Sequence, residues 1–285
     1  MSTSAHARRI AMVHDRVRPE EKLLMEALRN TGASVSTVYA PDLLWSTDAP
    51  TLEADVVLLR TLSHARTLAL AKLLEAEGLT VVNSATTIET AGDKAATSAA
   101  LKAAGVPQPK TFVAFSEAQV FEACEQLGYP VVLKPTVGSW GRMVSRLSDW
   151  DAVQAVLEHK SVLGGPQHQI LYVQEHVNKP GRDLRAFVVG DDVIAAIARE
   201  GEDWRTNTAR GAHAYGVDVT EPLRSVALQA AEAVGGGILA VDLLESDRGM
   251  LVGEINHGME FRNSIESTGV DIPARMADWL NRPQP

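Results

Sequence analysis

At 285 residues and 30.6 kDa the chain exceeds the commonest domain size, so two or three domains sharing clefts are expected. An apolar share of 45% with charged residues at 22% describes an ordinary globular protein, and a net charge of −9 with a pI near 5.4 excludes a general nucleic-acid binder. No run approaches the roughly 20 apolar residues of a membrane span, MSTSAHARR lacks the apolar core of a signal peptide, and one cysteine rules out an internal disulfide, so a cytoplasmic protein is expected.

The first ninety residues alternate between strand and helix patterns. Apolar RIAMVH (9–14), helical PEEKLLMEALRNTG (19–32), VSTVY (35–39), DVVLLR (55–60), helical ARTLALAKLLEAEG (65–78) and TVVN (80–83) predict a βαβ series with a parallel sheet. Pro19 and Ser84 suit helix starts, and Gly32 and Gly78 suit helix ends. Residues 93–130 add two helices, the second (SEAQVFEACEQLG) placing Cys124 on a buried face, where it packs rather than reacts. From 131 to 200 the runs VVLKP, MVSRL, ILYVQE, LRAFVVG and VIAAIAR predict one antiparallel sheet with a helix at 149–160. A polar stretch (200–219), the helix EPLRSVALQAAEAVGG, a hairpin and a last helix near DIPARMADWL complete the chain, the glycines at 235–237 reading as a helix stop.

The last hairpin, GILAVDLLESDRGMLVGEIN, carries the most chemistry. Glu254 and Asn256 are two apart in a strand, so they share a face. Asp242 on the preceding strand should stand opposite Glu254, with Asp247, Arg248 and Gly249 forming a three-residue loop. Two carboxylates and an amide oxygen are hard ligands suited to magnesium, although the same pattern also fits solvated polar residues. Lys134, inside apolar VVLKP, is expensive to bury without an anion. GSWGR at 138–142 can fold its backbone over phosphates, or be a plain turn. Lys94 in the first turn of its helix reads by default as a surface lysine. Arg182, Arg185, Arg199, Arg205, Asn207 and Arg210 form a cluster able to clamp carboxylate or phosphate, some of it salt-bridged. His257 follows the metal-type strand and suits a hydrogen-bonding or substrate-side role. The elbow GxSxG, the loop GxxxxGK[ST], HRD and DFG are all missing, which removes the main support for serine hydrolases, P-loop NTPases and protein kinases.

Together GDKAATS (92–98), PVVLKPTVGSWGR (130–142), YVQEHV (172–177), GRDLRAFVVG (181–190), TNTARG (206–211) and VDLLESDRGMLVGEIN (241–256) resemble the ATP-grasp ligases of the RimK-like group, in order along nearly the whole chain. HDRVRPEE, LEHKSVLGG, QHQILYVQE and NSIESTGVDIP bring it closer to the LysX ligases, which join 2-aminoadipate to the small acidic amino-group carrier protein LysW. The resemblance implies an α/β (α+β) ATP-grasp fold: an N-terminal Rossmann-like pre-ATP-grasp domain (1–90), a central subdomain with the glycine-rich loop (91–175) and a C-terminal subdomain with the metal site (176–285). A homo-oligomer, dimer or tetramer, is expected, with no nucleic-acid or membrane partner.

It further implies that ATP is held by Lys94, Lys134, Gly138, Ser139, Trp140, Gly141 and Arg142, by the hinge Gln174, Glu175, His176 and Val177, and by Arg182, Asp183, Arg199 and Asn207. Lys134, Arg199 and Asn207 would act in catalysis. Asp242, Glu254 and Asn256 would bind two Mg2+ ions, and Thr208, Ala209, Glu260, Phe261, Arg262, Asn263 and Ser264 would border the amino acid. In such ligases Asn-Ser or Asn-Thr after the metal strand goes with aminoadipate and Gly-Phe with glutamate; Asn263-Ser264 follows the former. Ala212 and Gly258 depart from the pattern, where a second glycine and a hydroxyl residue are usual. The alternatives are a ligase adding glutamate to another protein or peptide, a carrier-protein ligase of a secondary-metabolite pathway, and a nucleotide-binding regulator without turnover.

Overall fold

The computed structural model describes residues 7–138, 143–163, 169–201, 204 and 213–283. Strands β1 (Arg9–His14), β2 (Ser34–Tyr39), β3 (Val56–Arg60) and β4 (Thr80–Val82) form a parallel sheet in the order β2-β1-β3-β4. Parallel strands joined by helices are covered on both faces, which is why RIAMVH and VVLLR are near-continuous apolar runs. Period-2 alternation splits them between two cores. Ala11, Val13, Val57 and Leu59 face α2 (His64–Ala76) and α3 (Ala85–Gly92). Ile10, Met12, Val56 and Leu58 face α1 (Pro19–Asn30) and, beyond it, the C-terminal part of the chain. Pro19 is the first residue of α1, Ser84 caps α3 through Thr87 N, and Gly32 and Gly78 adopt positive φ just past their helices.

The runs between 131 and 200 divide between two antiparallel sheets instead of forming one. The first has the order β5-β8-β6-β7, built from β5 (Thr111–Ala114), β6 (Val131–Pro135), β7 (Ser145–Leu147) and β8 (Leu171–Glu175). Helices α5 (Glu117–Leu127) and α6 (Trp150–Leu163) cover it around Val120, Cys124, Val131, Leu157 and Val173. Cys124 is fully buried there, and burial pushes its thiol pKa up, so it packs as expected. The division falls at Lys179-Pro180-Gly181, where Pro180 cannot donate to a ladder and Gly181 takes a φ of 74°.

The second sheet has the order β11-β10-β9-β12-β13, from β9 (Arg182–Val189), β10 (Asp192–Glu200), β11 (His213–Val217), β12 (Ile238–Ser246) and β13 (Gly249–Asn256). One face packs on α7 (Glu221–Ala233) and on Leu101 of α4 (Lys94–Ala103). The other packs on the N-terminal sheet and on α9 (Ile272–Leu280), so Met12, Leu58, Phe187, Met276 and Leu280 share one core. Strand β11 lies within the stretch read as polar, and the short α8 (Arg262–Thr268) follows β13. Gly216 lets the two meet: a Cβ there would come within 2.2 Å of the Ser267 carbonyl. Among the described residues no helix is long and apolar enough to cross a membrane.

Candidate active site

On β12 and β13, Asp242 stands opposite Glu254 and Ala240 opposite Asn256, so the three polar residues share a face. The route to that pairing differs from the expected three-residue loop. Ser246 pairs with Gly249, leaving a two-residue turn of Asp247 and Arg248, and the missing residue of parity comes from a bulge between Asp242 and Leu243, opposite Gly253. A one-residue slip moves every side chain to the other face, so the bulge is what turns Glu254 and Asn256 toward Asp242. Val252 and Ile255, three apart yet in the same core, are its trace in the sequence.

Asp242 is buried and receives both ends of the Arg185 guanidinium, Nε to Oδ1 at 2.7 Å and Nη2 to Oδ2 at 2.8 Å, with Arg199 Nη2 3.3 Å from Oδ2. Burial opposes its charge, but Arg185 and Arg199 overcome this and hold its pKa down to about 2. Asn256 Nδ2 makes a long contact to Asp242 Oδ2 at 3.5 Å, which leaves its amide oxygen toward other partners. Lys94 Nζ lies 3.1 Å from Glu254 Oε1 and donates to the Gly138 carbonyl at 3.0 Å. Asp93 caps the helix that Lys94 begins. Asp242, Glu254 and Asn256 therefore present hard oxygen donors whose charges are already matched by Arg185, Arg199 and Lys94, a donor set that fits magnesium brought in with an anionic phosphate.

Lys134, on β6, donates to Gln174 Oε1 on the adjacent β8 at 2.7 Å. Gln174 is a neutral partner, so burial, against the nearby charge of Glu254 and helped by that of Lys94, pushes the lysine pKa down to about 8. Lys94, Lys134, Gln174, His176, Val177, Asp183, Arg199, Asp242 and Glu254 line one cleft between the two antiparallel sheets, together with Glu175 and Lys179. Glu175 is held by the Lys110 backbone and by Arg248 of the β12–β13 turn. Arg182 lies outside that lining and spends its guanidinium on Glu245 and the Tyr215 hydroxyl.

A second, wider cleft opens toward the N-terminal sheet, lined by Arg16, Arg18, Arg60, His64, Gly138, Arg185, His257 and Glu260 among others, and it meets the first at Lys94 and Glu254. Glu260 accepts from Arg18 Nη1 at 2.8 Å. Phe261 is buried in the shared core, Ser264 is buried in the first turn of α8, and Arg262 and Asn263 are exposed. These four do not line either cleft among the described residues. His257 packs against His64, Nε2 to Nδ1 at 3.3 Å, and burial together with the His64 charge pushes its pKa to about 4, so it stands neutral. Ser139, Trp140, Gly141, Arg142, Arg205, Asn207, Thr208, Ala209 and Arg210 lie outside the described residues.

Two site residues escaped the sequence reading. Asn83, at the end of β4, donates to the carbonyls of Ile238 (2.8 Å) and His257 (2.7 Å) and accepts from Ile238 N (2.7 Å), fastening the N-terminal sheet beside the metal-type strand. Nothing local marks it, since its partners lie more than 150 positions away. Arg60 ends the apolar run DVVLLR, and the desolvation argument that singles out Lys134 applies to it equally.

Comparison with known proteins gives consistent matches. Residues 91–280 match the model of the RimK-like ATP-grasp domain, and residues 10–90 match that of the LysX preATP-grasp domain. The chain is 38% identical over 271 residues to an alpha-aminoadipate--LysW ligase LysX of Saccharolobus solfataricus, covering 92% of this chain and 98% of that protein. It is 30% identical over 275 residues to a glutamate--LysW ligase ArgX of Sulfolobus acidocaldarius, covering 95% and 98%. Among solved structures it is similar to a RimK domain ATP-grasp protein of Sphaerobacter thermophilus, with a TM-score of 0.81 at 33% identity, over 95% of this chain and 98% of that one.

Proposed function

Because the chain belongs to the RimK-like ATP-grasp family, and is thus an ATP-dependent carboxylate-amine ligase, we propose that it joins the amino group of 2-aminoadipate to the C-terminal glutamate side chain of a small acidic LysW-like carrier protein. The observation that carries the proposal is the meeting of the two clefts at Lys94 and Glu254, which sets a lysine-lined cavity end to end with an arginine-lined one. Transfer of a phosphoryl group to a carboxylate, followed by attack of an amine, needs that order of compartments.

In the first cleft Lys134 has Gln174 and no carboxylate as its hydrogen-bond partner among the described residues, and a nucleotide phosphate supplies a direct anionic one. Lys94 trades its contact with Glu254 for phosphate oxygens, which leaves the carboxylate to a metal. Gln174, Glu175, His176 and Val177 border the base, and Asp183 sits with Arg199 at the phosphate end. Asp242, Glu254 and Asn256 hold magnesium, with two ions proposed, and the bound metal supplies neutralisation and alignment of the transferring phosphate. A carboxylate oxygen of the carrier attacks the γ-phosphorus and ADP leaves. The amine of the amino acid then attacks the acyl carbon, the C–O bond to phosphate breaks, and inorganic phosphate departs, taking up the proton that the nitrogen gives up. Arg199, only 5% exposed and with its Nε unpartnered among the described residues, is poised to donate to the negative oxygen of the tetrahedral intermediate.

Aminoadipate is preferred over glutamate because Asn263-Ser264 follows the aminoadipate pattern and the LysX relative is the more similar of the two compared. The test is to incubate the enzyme with ATP, Mg2+, a LysW-like carrier ending in glutamate, and either amino acid, following ADP release and carrier mass. Loading of aminoadipate at the higher kcat/KM is expected, with loss of activity in EDTA. Higher kcat/KM with glutamate would replace the amino-acid assignment, and ADP release without any mass gain on the carrier would sink the carrier assignment.

A further inference from the structure

We propose that Arg60 anchors the side-chain carboxylate of the amino-acid substrate, an inference that rests on the ligase function just proposed. Strand order β2-β1-β3-β4 means the chain leaves β1 toward one side of the sheet and returns to β3 on the other. In open α/β sheets a ligand crevice lies at such a switch point, beyond the carboxyl ends of the diverging strands. Here those ends carry His14 and Arg60, which face each other in the register of β1 and β3. The cleft beyond them measures about 610 Å³, within the range of roughly 300–1,000 Å³ that small-molecule sites occupy.

Arg60 is 7% exposed, and two of its three guanidinium nitrogens are fixed. Nε donates to Glu21 Oε1 at 3.1 Å and Nη1 to the Met259 carbonyl at 3.0 Å. Nη2 is buried and has no acceptor among the described residues. A buried donor of this kind calls for an acceptor, and a guanidinium edge matches a carboxylate. With Glu260 on Arg18 the two arginines and two glutamates balance in charge, so what stays open at Arg60 is a directed donor and not a net charge. Glu21 cannot fill it, because its fully buried carboxylate already takes Arg60 Nε and, at 3.0 and 2.9 Å, Nε and Nη2 of Arg18. It acts instead as a splint that holds both arginines at the cleft. The reacting amine and its α-carboxylate belong near Lys94 and Glu254; Arg60, on the wall made by the N-terminal sheet, is left to the distal carboxylate.

The test is calorimetric titration of the enzyme with Mg2+ and ADP present and no carrier, so that it reads amino-acid binding alone. In the wild type, 2-aminoadipate is expected to bind about tenfold to a hundredfold more tightly than 2-aminohexanoate, which has the same carbon chain without the side-chain carboxylate, and glutamate likewise against 2-aminopentanoate. Arg60→Gln should erase that ratio while leaving 2-aminohexanoate and ADP affinities within about twofold, and Arg60→Lys should restore part of it. Equal affinity of the wild type for both members of each pair would overturn the inference without any variant, which covers the case of a substitution that does not fold. Equal weakening of acid and analogue in Arg60→Gln would also overturn it, by showing a structural role only. If the wild type loads the carrier while Arg60→Gln keeps its preference for the acid, the Arg60 inference alone fails; if Arg60-dependent binding stands and no carrier is loaded, the carrier proposal alone fails.

Discussion

Asp242 and Glu254 differ in how firmly the protein holds them, and that difference sets what their substitution should do. Asp242 is buried under two arginines, so removing it strands their charges, and loss of activity would be mixed with loss of stability. Glu254 is the cleaner probe, since its side chain is 35% exposed and its ion pair is with Lys94 alone among the described residues. Glu254→Ala is expected to lower ligation by about 10²–10³-fold or more while changing stability by about 0.5 kcal/mol or less; a variant that ligates at the wild-type rate refutes the metal assignment. The pair Asn263-Ser264 is asymmetric in the same way. Asn263 is exposed and Ser264 is 4% exposed, so Ser264→Phe must overpack the start of α8 and cost about 1–3 kcal/mol. Asn263→Gly with Ser264→Phe is expected to move preference toward glutamate and to lower the melting temperature. Asn263→Gly alone should move preference less and leave melting nearly unchanged. Unaltered kcat/KM ratios for the two amino acids in both variants would show that the pair does not select the substrate.

At the scale of elements, the ends of β4, β12 and β13 are tied together by a single side chain. Asn83 satisfies Ile238 on both its N–H and C=O and takes up the His257 carbonyl, one residue after Asn256. Gly237 makes room for this contact: its φ is 107°, and a Cβ there would come within 2.2 Å of Asn83 Oδ1. The triple glycine thus ends α7 as expected and also admits a neighbouring lobe, a role that no local pattern reveals. Asn83→Ala leaves buried backbone groups without partners and is expected to cost about 2–4 kcal/mol. Because the joint abuts the metal-type strand, kcat should fall with it even at temperatures where the variant is folded. A variant that loses stability with kcat intact would confine Asn83 to a structural role.

For the whole molecule, the distribution of cores predicts two cooperative units. Residues of the N-terminal sheet and of the C-terminal sheet share one core through Ile10, Leu58, Phe187 and Met276, whereas β5 to β8 with α5 and α6 enclose a core of their own. Hydrogen exchange followed along the chain should therefore show the amides of β1, β3, β9 and β12 opening together and those of β6 and β8 opening separately. Independent opening of β1 and β3 from β9 and β12 would contradict this. The two units meet along the cleft proposed for the nucleotide, lined by Lys94, Lys134 and Gln174, so ADP with Mg2+ is expected to raise protection in both.

Much of this was legible in residues read one segment at a time. The strands at 9–14, 55–60, 131–135 and 171–175 and the helices opening at Pro19, Ser84 and Glu221 follow from period, caps and punctuation, which act over a few residues. The shared face of Glu254 and Asn256 follows from the same period, and the half-buried, desolvated position of Lys134 from one charge in an apolar run. The sequence by itself thus determined most of the elements, though not β11 or the short α8, together with the parallel N-terminal sheet, the metal-type hairpin and, through its motifs, the ligase family. Only the tertiary structure decided that the later strands part into two sheets, that a bulge at Gly253 rather than a longer loop brings Asp242 opposite Glu254, that Asn83 joins the ends of β4, β12 and β13, and which groups Arg60 meets at the cleft. The reason is physical: hydrogen-bond partners and desolvation depend on groups brought together from distant positions, as Arg60 is with Glu21 and Met259, and no local periodicity encodes which distant groups those will be.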